Sequence, residues 1–177
     1  QVASIKPEVV YTFFAGGGAV KFVRDYAASG LKTTIPLVGA GFLTDGTLEA
    51  QGEAAQGLET ALHYADGLDL PKDKAFRAAF KKAAGRDADV YAVQGYDTGQ
   101  LLVAGLAAVK GDTSARQALV AAMEKAEIDS PRGKFTLSKA HNPVQDFYLR
   151  KAQGLENKYA GVAVKALADP AHGCKRA

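Results

Sequence analysis

Alternating runs of apolar and polar positions divide this chain into short strands and amphipathic helices. Glu8 to Phe14 is a near-continuous apolar run rich in Val, Tyr and Phe, the pattern of a strand buried on both faces in a parallel sheet. It breaks into three consecutive glycines, Gly16 to Gly18, which predict a tight loop, and the period then turns helical. Ala19, Phe22, Val23, Tyr26 and Ala27 fall on one face, with Gly30 as a left-handed stop. Residues 34–42, TIPLVGAGF, predict a second strand with Pro36 near its start, followed by another glycine-punctuated loop. Strand, helix and strand in this order make a βαβ unit, which crosses over right-handed and builds parallel sheets.

The pattern continues with a strand over 57–65 and a helix over 69–85, opened by Asp69 and Pro71, closed by Gly85 and striped by Phe76, Ala79, Phe80 and Ala83. Two helices in succession then interrupt the alternation, one from Tyr96 to Val109 and one from Ser114 to Ala126, the latter carrying Ala118, Leu119, Ala122 and Met123. A strand at Gly133 to Leu137, a loop with Pro143, a strand at Gln145 to Lys151 and a turn at Gln153-Gly154 follow. The fold class predicted is α/β with a parallel sheet, and the paired helices mark a place where the chain leaves one lobe for another.

Composition narrows the function. With 47% hydrophobic and 23% charged residues in 177, the chain has ordinary globular composition, which excludes a disordered or fibrous protein. No apolar window is long enough to span a bilayer. The net charge of +3 comes from 22 basic and 19 acidic residues scattered along the sequence, without the basic stripe and interleaved aromatics of a nucleic-acid binder. The single cysteine, Cys174, has no partner for an internal disulfide. The N-terminal residues QVASIKPEVV have neither an initiator methionine nor the order of a signal peptide, so a segment upstream is expected to be missing.

Few residues carry chemistry on their own. The glycine triplet could cradle an anion at a helix N-terminus, or could be a tight turn that clears space at a strand end. It matches neither G-x-x-x-x-G-K-[ST] nor G-x-G-x-x-G with a following acid. His63, His141 and His172 have no second ligand at metal-binding spacing, and no nucleophile motif is present, so neither metal, cofactor nor enzyme activity is expected. Asp45, Asp87 and Asp89 sit where caps and turns explain them. Asp97, in VQGYDTGQ at the expected lobe crossing, reads either as a helix N-terminal charge or as a ligand contact.

Taken together, KPEVVYTFFAGGGAVKFVRDYAASGLKTTIPLVGAGFLTD, GEAAQGLETALHYA, DVYAVQGYDTGQLLVAGLAAV and SPRGKFTLSKAHNPVQDFYLRKA resemble the later part of a type I periplasmic solute-binding protein of ABC importers, in the Leu/Ile/Val-binding-protein-like branch. The resemblance runs over nearly the whole chain and keeps the motif order. It implies a bilobed parent of about twice this length, of which this chain would hold residues 1–93 of the C-terminal lobe, a return into the N-terminal lobe over 94–145, and a final crossing with C-terminal strands over 146–177. It also implies a periplasmic location, a permease and ATPase subunits as partners, and a small-molecule ligand. The first strands of the N-terminal lobe would be absent, as would any partner of Cys174. The fragment would then associate with itself or with the missing N-terminal half through its exposed apolar surface.

Carried onto this sequence, the resemblance places Phe14, Ala15, Gly16 and Gly17 at a cleft wall that contacts the solute, with Gly41, Phe42 and Leu43 in the next loop and Gln94, Tyr96 and Asp97 near the second crossing. Tyr96 reads equally as a residue that packs the helix start. In branched-chain amino-acid binders the loop after the second strand carries a glutamate for the ligand ammonium, and this sequence has Gly41 there. A buried ammonium without a counter-charge costs several kcal/mol, about 3–5 when a buried pair is broken. The expected ligand is therefore an aromatic carboxylate without an ammonium, held by backbone N–H groups and stacked on aromatics. That expectation weakens if Asp45 or Asp97 turns toward the ligand, which would bring an amino acid back. A ligand-binding ectodomain of a signalling receptor, or a flavodoxin-like nucleotide-using enzyme, would share the pattern of strands and helices.

Overall fold

The computed structural model describes residues 1–170, 172, 173 and 175. Cys174 lies outside the described residues. The elements in chain order are α1 (Val2–Ile5), β1 (Val10–Thr12), α2 (Gly16–Ala28), β2 (Leu37–Ala40), α3 (Leu48–Gln51), β3 (Glu59–Leu62), α4 (Pro71–Ala84), α5 (Val90–Ala108), α6 (Arg116–Glu124), β4 (Thr136–Leu137), β5 (Pro143–Gln153) and β6 (Glu156–Leu167). Short 3-10 turns at Leu31–Thr33, Gly41–Leu43 and Gly52–Ala55 complete the connections. This is the expected α/β class, in a mixed sheet whose β1, β2 and β3 run parallel.

The chain forms two compact units, residues 1–67 with 148–163, and residues 68–147 with 164–177. The sequence-based partition at 93 and 145 followed expected lobe membership in a longer parent; the contacts instead group 68–93 with the helices that follow.

In the first unit β1, β2 and β3 pair in parallel, with Val10 opposite Leu37 and Val38 opposite Glu59, and β5 closes on β3 antiparallel, with Thr60 opposite Arg150. Helix α2 buries Ala19, Val23 and Tyr26 against Leu37, Leu43, Leu48 and Leu58, which is the core of this unit. The Tyr26 hydroxyl donates to Ile35 O at 2.9 Å, so its one polar atom is satisfied inside that core. The first strand is shorter and more exposed than its composition predicted: among the described residues it is an edge strand, and Tyr11, on the opposite face from Val10 and Thr12, is 69% exposed. The glycine triplet is the first turn of α2 rather than a loop before it.

In the second unit α5 begins at Val90, six residues before the predicted start. Asp89 explains the difference: its carboxylate accepts from the Ala92 N–H at 2.8 Å and caps the helix there. Helix α4 begins with Pro71 at its first position and Leu70 as cap residue, while Asp69 pairs with Lys74 at 2.5 Å instead of capping. Of its predicted stripe only Phe76 is fully buried. Helices α5 and α6 approach closely where Gly105 faces Met123: a Cβ at Gly105 would lie 2.7 Å from Met123 Cγ. The strand predicted from Gly133 reduces to Thr136–Leu137, paired antiparallel with Pro143 and Val144 of β5. No helix among the described residues is long and apolar enough to cross a membrane.

Candidate ligand-binding site

Strand β1 and strand β2 end side by side in the first unit, and their exits carry the aromatic residues singled out from the sequence. Beyond β1 the chain presents Phe13, which is 63% exposed, then Phe14 and Ala15. Ala15 is the cap residue of α2 and has no side chain to satisfy the first N–H groups of the helix, so those of the glycine turn are left for another acceptor. Gly16 has φ +54°, which a side chain adopts only with strain. A Cβ built at Gly16 or Gly17 would meet nothing within 4 Å, so the wall there is open. Phe14 stacks on Phe22 of α2 with centroids 4.7 Å apart, which fixes its ring against the helix. Phe42 meets Phe13 edge to face, with centroids 6.2 Å apart and planes at 72°. Phe13 to Gly17 and Phe42 thus form one aromatic and glycine surface at the carboxyl ends of parallel strands, where open α/β sheets bind ligands.

The turn that carries Phe42 is held from behind by a buried arginine. Arg150 on β5 is 1% exposed and spends its whole guanidinium on internal partners. Nη2 donates to Gly41 O at 3.0 Å and to Asp45 Oδ2 at 2.8 Å, Nη1 to Asp45 Oδ1 at 3.1 Å and to Tyr64 O at 3.2 Å, and Nε to Thr60 Oγ1 at 3.2 Å. Asn157 Nδ2 donates to the same Asp45 carboxylate at 3.3 Å, and Thr44 donates to Asn157 Oδ1 at 2.6 Å. Asp45 is therefore the counter-ion of an arginine in a fork-to-fork pair. Gly41 is obligatory in this packing: a Cβ would lie 2.6 Å from Arg150 Nη2 and 2.6 Å from Leu62 Cβ. Leu43, expected in the pocket wall, is instead wholly buried in the core with Val23 and Leu37, because the 3-10 turn rotates its side chain under the sheet end.

The second unit places Gln94, Tyr96 and Asp97 along α5. Gln94 and Tyr96 are half-buried. The Tyr96 ring packs on Phe76 with centroids 5.0 Å apart and lies under Lys72 Nζ at 5.4 Å. The Lys72 ammonium, hydrogen-bonded first to Asp129 and then to Tyr96, has its pKa raised above the ordinary lysine value. Asp97 is the eighth residue of α5, too deep to act as an N-terminal charge, and it is buried. Its Oδ2 accepts from Arg132 Nε at 2.8 Å and from the Ser130 hydroxyl at 3.0 Å. Arg132 also bonds Gln145 and lies 4.5 Å from the Phe135 ring centroid. Both Asp45 oxygens are thus taken by Arg150, whereas Asp97 gives only Oδ2 to Arg132 and Ser130 and its Oδ1 is buried without a hydrogen-bond partner. Among the described residues no cluster of three or more His, Cys, Asp or Glu is arranged to hold a metal ion.

Residues 1–158 match the sequence profile of the periplasmic binding protein family. The chain belongs to that family. A solved periplasmic binding protein similar to it is the solute-binding protein of an ABC transporter from R. palustris in complex with benzoate, 53% identical, with a TM-score of 0.91 over 98% of this chain and 48% of that one. Another, from Rhodopseudomonas palustris BisB5 in complex with 3,4-dihydroxybenzoic acid, is 31% identical, with a TM-score of 0.81 over 97% of this chain and 48% of that one. Among curated relatives, the Leu/Ile/Val-binding protein homolog 6 of Brucella melitensis is 32% identical over 148 residues, 80% of this chain and 38% of its own length. The chain thus spans less than half the length of these relatives.

Two residues of this periplasmic binding protein escaped the sequence reading. Phe13 was absorbed into the strand run, although its position before three glycines marks the strand exit. Arg150 lies in a sequence pattern of alternating strand residues, RKAQ, that gives no sign of burial; only its pairing opposite Thr60 reveals its role.

Proposed function

We propose that this chain is part of the solute-binding component of an ABC importer, a receptor that closes two lobes on an aromatic carboxylate lacking an ammonium group. The protein acts in the periplasm and hands its solute to a membrane permease driven by ATPase subunits; no bond is made or broken. Closure follows from population shift, since a solute that contacts both lobes binds the closed form more tightly than the open one. In this reading Phe13, Phe14 and Phe42 offer ring edges and faces to the solute, and Ala15, Gly16 and Gly17 offer backbone N–H groups and open space to its carboxylate.

The observation that carries this reading is the commitment of both Asp45 oxygens to Arg150, which withholds the acid of the strand-exit turn from a ligand ammonium. The benzoate and dihydroxybenzoate found in the two solved relatives support the same ligand class. The name of the Brucella relatives favours a second reading, a branched-chain amino-acid receptor of the same fold. A thermal-shift panel on the full-length protein separates the two, because a bound ligand raises stability by RT ln(1 + [L]/Kd). Benzoate and 4-hydroxybenzoate at about a hundred times Kd are expected to stabilise by about 2.7 kcal/mol, with leucine and phenylalanine inert. Stabilisation by the amino acids with no response to the carboxylates would overturn the ligand class.

A further inference from the structure

The Arg150 guanidinium does more than fill a hole. It sits directly behind the turn that carries Phe42, closes the space that a side chain at position 41 would need, and takes both oxygens of Asp45, whose own N–H bonds Gly41 O at 3.1 Å. Asp45 is therefore the acidic group of the strand-exit turn, four residues from Gly41, and it is electrically spent. To serve a cation outside, its carboxylate would have to release charge-assisted bonds and leave a buried arginine without its counter-ion, which is strongly unfavourable. A purely structural lock would not need charge at this place, since a buried pair can be replaced by apolar residues of similar volume with little loss of stability.

We infer that Arg150 is a specificity-determining positioning residue: by holding Gly41 and Asp45 it keeps the Asp45 carboxylate from pairing with a ligand ammonium, and so selects solutes without a cationic group. This rests on the ligand class proposed above. The effect acts through charge, because a carboxylate released from its guanidinium attracts an ammonium in a partly buried site strongly enough to change binding roughly tenfold. It acts through no direct contact between Arg150 and the solute.

The test uses phenylacetate and L-phenylglycine, which share ring and carboxylate and differ by the α-ammonium, with affinities measured calorimetrically on the full-length protein and its variants. The wild type is expected to prefer phenylacetate. Arg150→Met, which takes the guanidinium away from Asp45, should shrink that preference at least about fivefold, whereas Asp45→Asn, which leaves the guanidinium in excess, should widen it about threefold or more. The double variant removes both charges and should return the preference to near the wild-type ratio, although the clamp is lost as fully as in Arg150→Met. Circular dichroism establishes which variants fold, and if Arg150→Met does not, Asp45→Asn, which keeps the shape and an acceptor, decides alone. Ratios unchanged within twofold in folded variants, or failure of both single variants to fold, would reduce Arg150 to a fold lock and overturn the inference. A wild type that binds neither compound, or binds phenylglycine as tightly, removes the proposed ligand class itself, an outcome distinct from a discriminating wild type whose variants keep its ratio.

Discussion

Gly17 separates what the wall needs for folding from what it needs for binding. A Cβ there meets nothing within 4 Å, and the residue lies in the first turn of α2 at an ordinary negative φ, so alanine is accommodated and reduces the freedom of the unfolded chain. Gly17→Ala is expected to raise stability by about 0.5 kcal/mol in urea denaturation, while Gly17→Leu folds normally but weakens benzoate binding at least about tenfold by occupying the open space. A Gly17→Leu protein with wild-type affinity would show that the solute does not approach this wall. Gly41 behaves oppositely. It is buried where Gly17 is exposed, and any side chain there collides with Arg150 and Leu62, so its substitutions damage packing before they can report on the ligand.

Helix α2 connects the core to the wall, since one face buries Ala19, Val23 and Tyr26 while Phe22 on its flank stacks between Phe14 and Tyr26. Burial raises the Tyr26 pKa above its ordinary value of 10.0. A tyrosine that stays protonated in the folded state while the unfolded chain ionises contributes stability in full below about pH 10, and that stability falls as pH rises toward the folded pKa. Tyr26→Phe should therefore cost about 1 kcal/mol near neutral pH, through loss of the bond to Ile35 O, and the gap to wild type should close above about pH 10. Denaturant melts of both proteins across pH 7 to about 11 check the sign; a gap that widens with pH would refute it. This helix was legible in the sequence because its apolar spacing and its core contacts agree. The start of α5 is not legible in the same way, because its apolar residues are spread around the helix rather than on one stripe, so period gives no boundary and the Asp89 cap sets one. The aromatic and glycine surface proposed for the ligand was legible in part for a related reason: Phe14, the glycines and Phe42 lie in local sequence motifs, whereas Arg150 reaches Asp45 across 105 residues of chain, a pairing that local pattern does not encode.

The later half of α5, Leu101 to Ala108, carries no polar side chain, which suits a buried helix, yet it leaves Val103 66% exposed and Leu102 49% exposed, and Val120 of α6 is exposed as well. The same holds for the outer positions of β6, where Val162, Val164 and Leu167 are exposed. Surface of this kind is covered in a stable assembly, and the shared apolar composition of the α5 and α6 faces makes a second copy of the chain a suitable cover when the 177-residue polypeptide is isolated. The isolated chain, 18.5 kDa as a monomer, should sediment as a dimer or larger species at concentrations of about 50 µM, where an association of about −8 kcal/mol is well populated. Val103→Lys with Leu102→Gln should shift it toward monomer, without a loss of helix content by circular dichroism, because both side chains face outward and lysine and glutamine sustain helices nearly as well. The solved relatives are about twice as long, and in a polypeptide whose further length covers these helices the same substitutions should instead lower stability. A wild-type chain that sediments as a monomer at that concentration would show that these helices tolerate water, and would remove apolar cover as the reason for their composition.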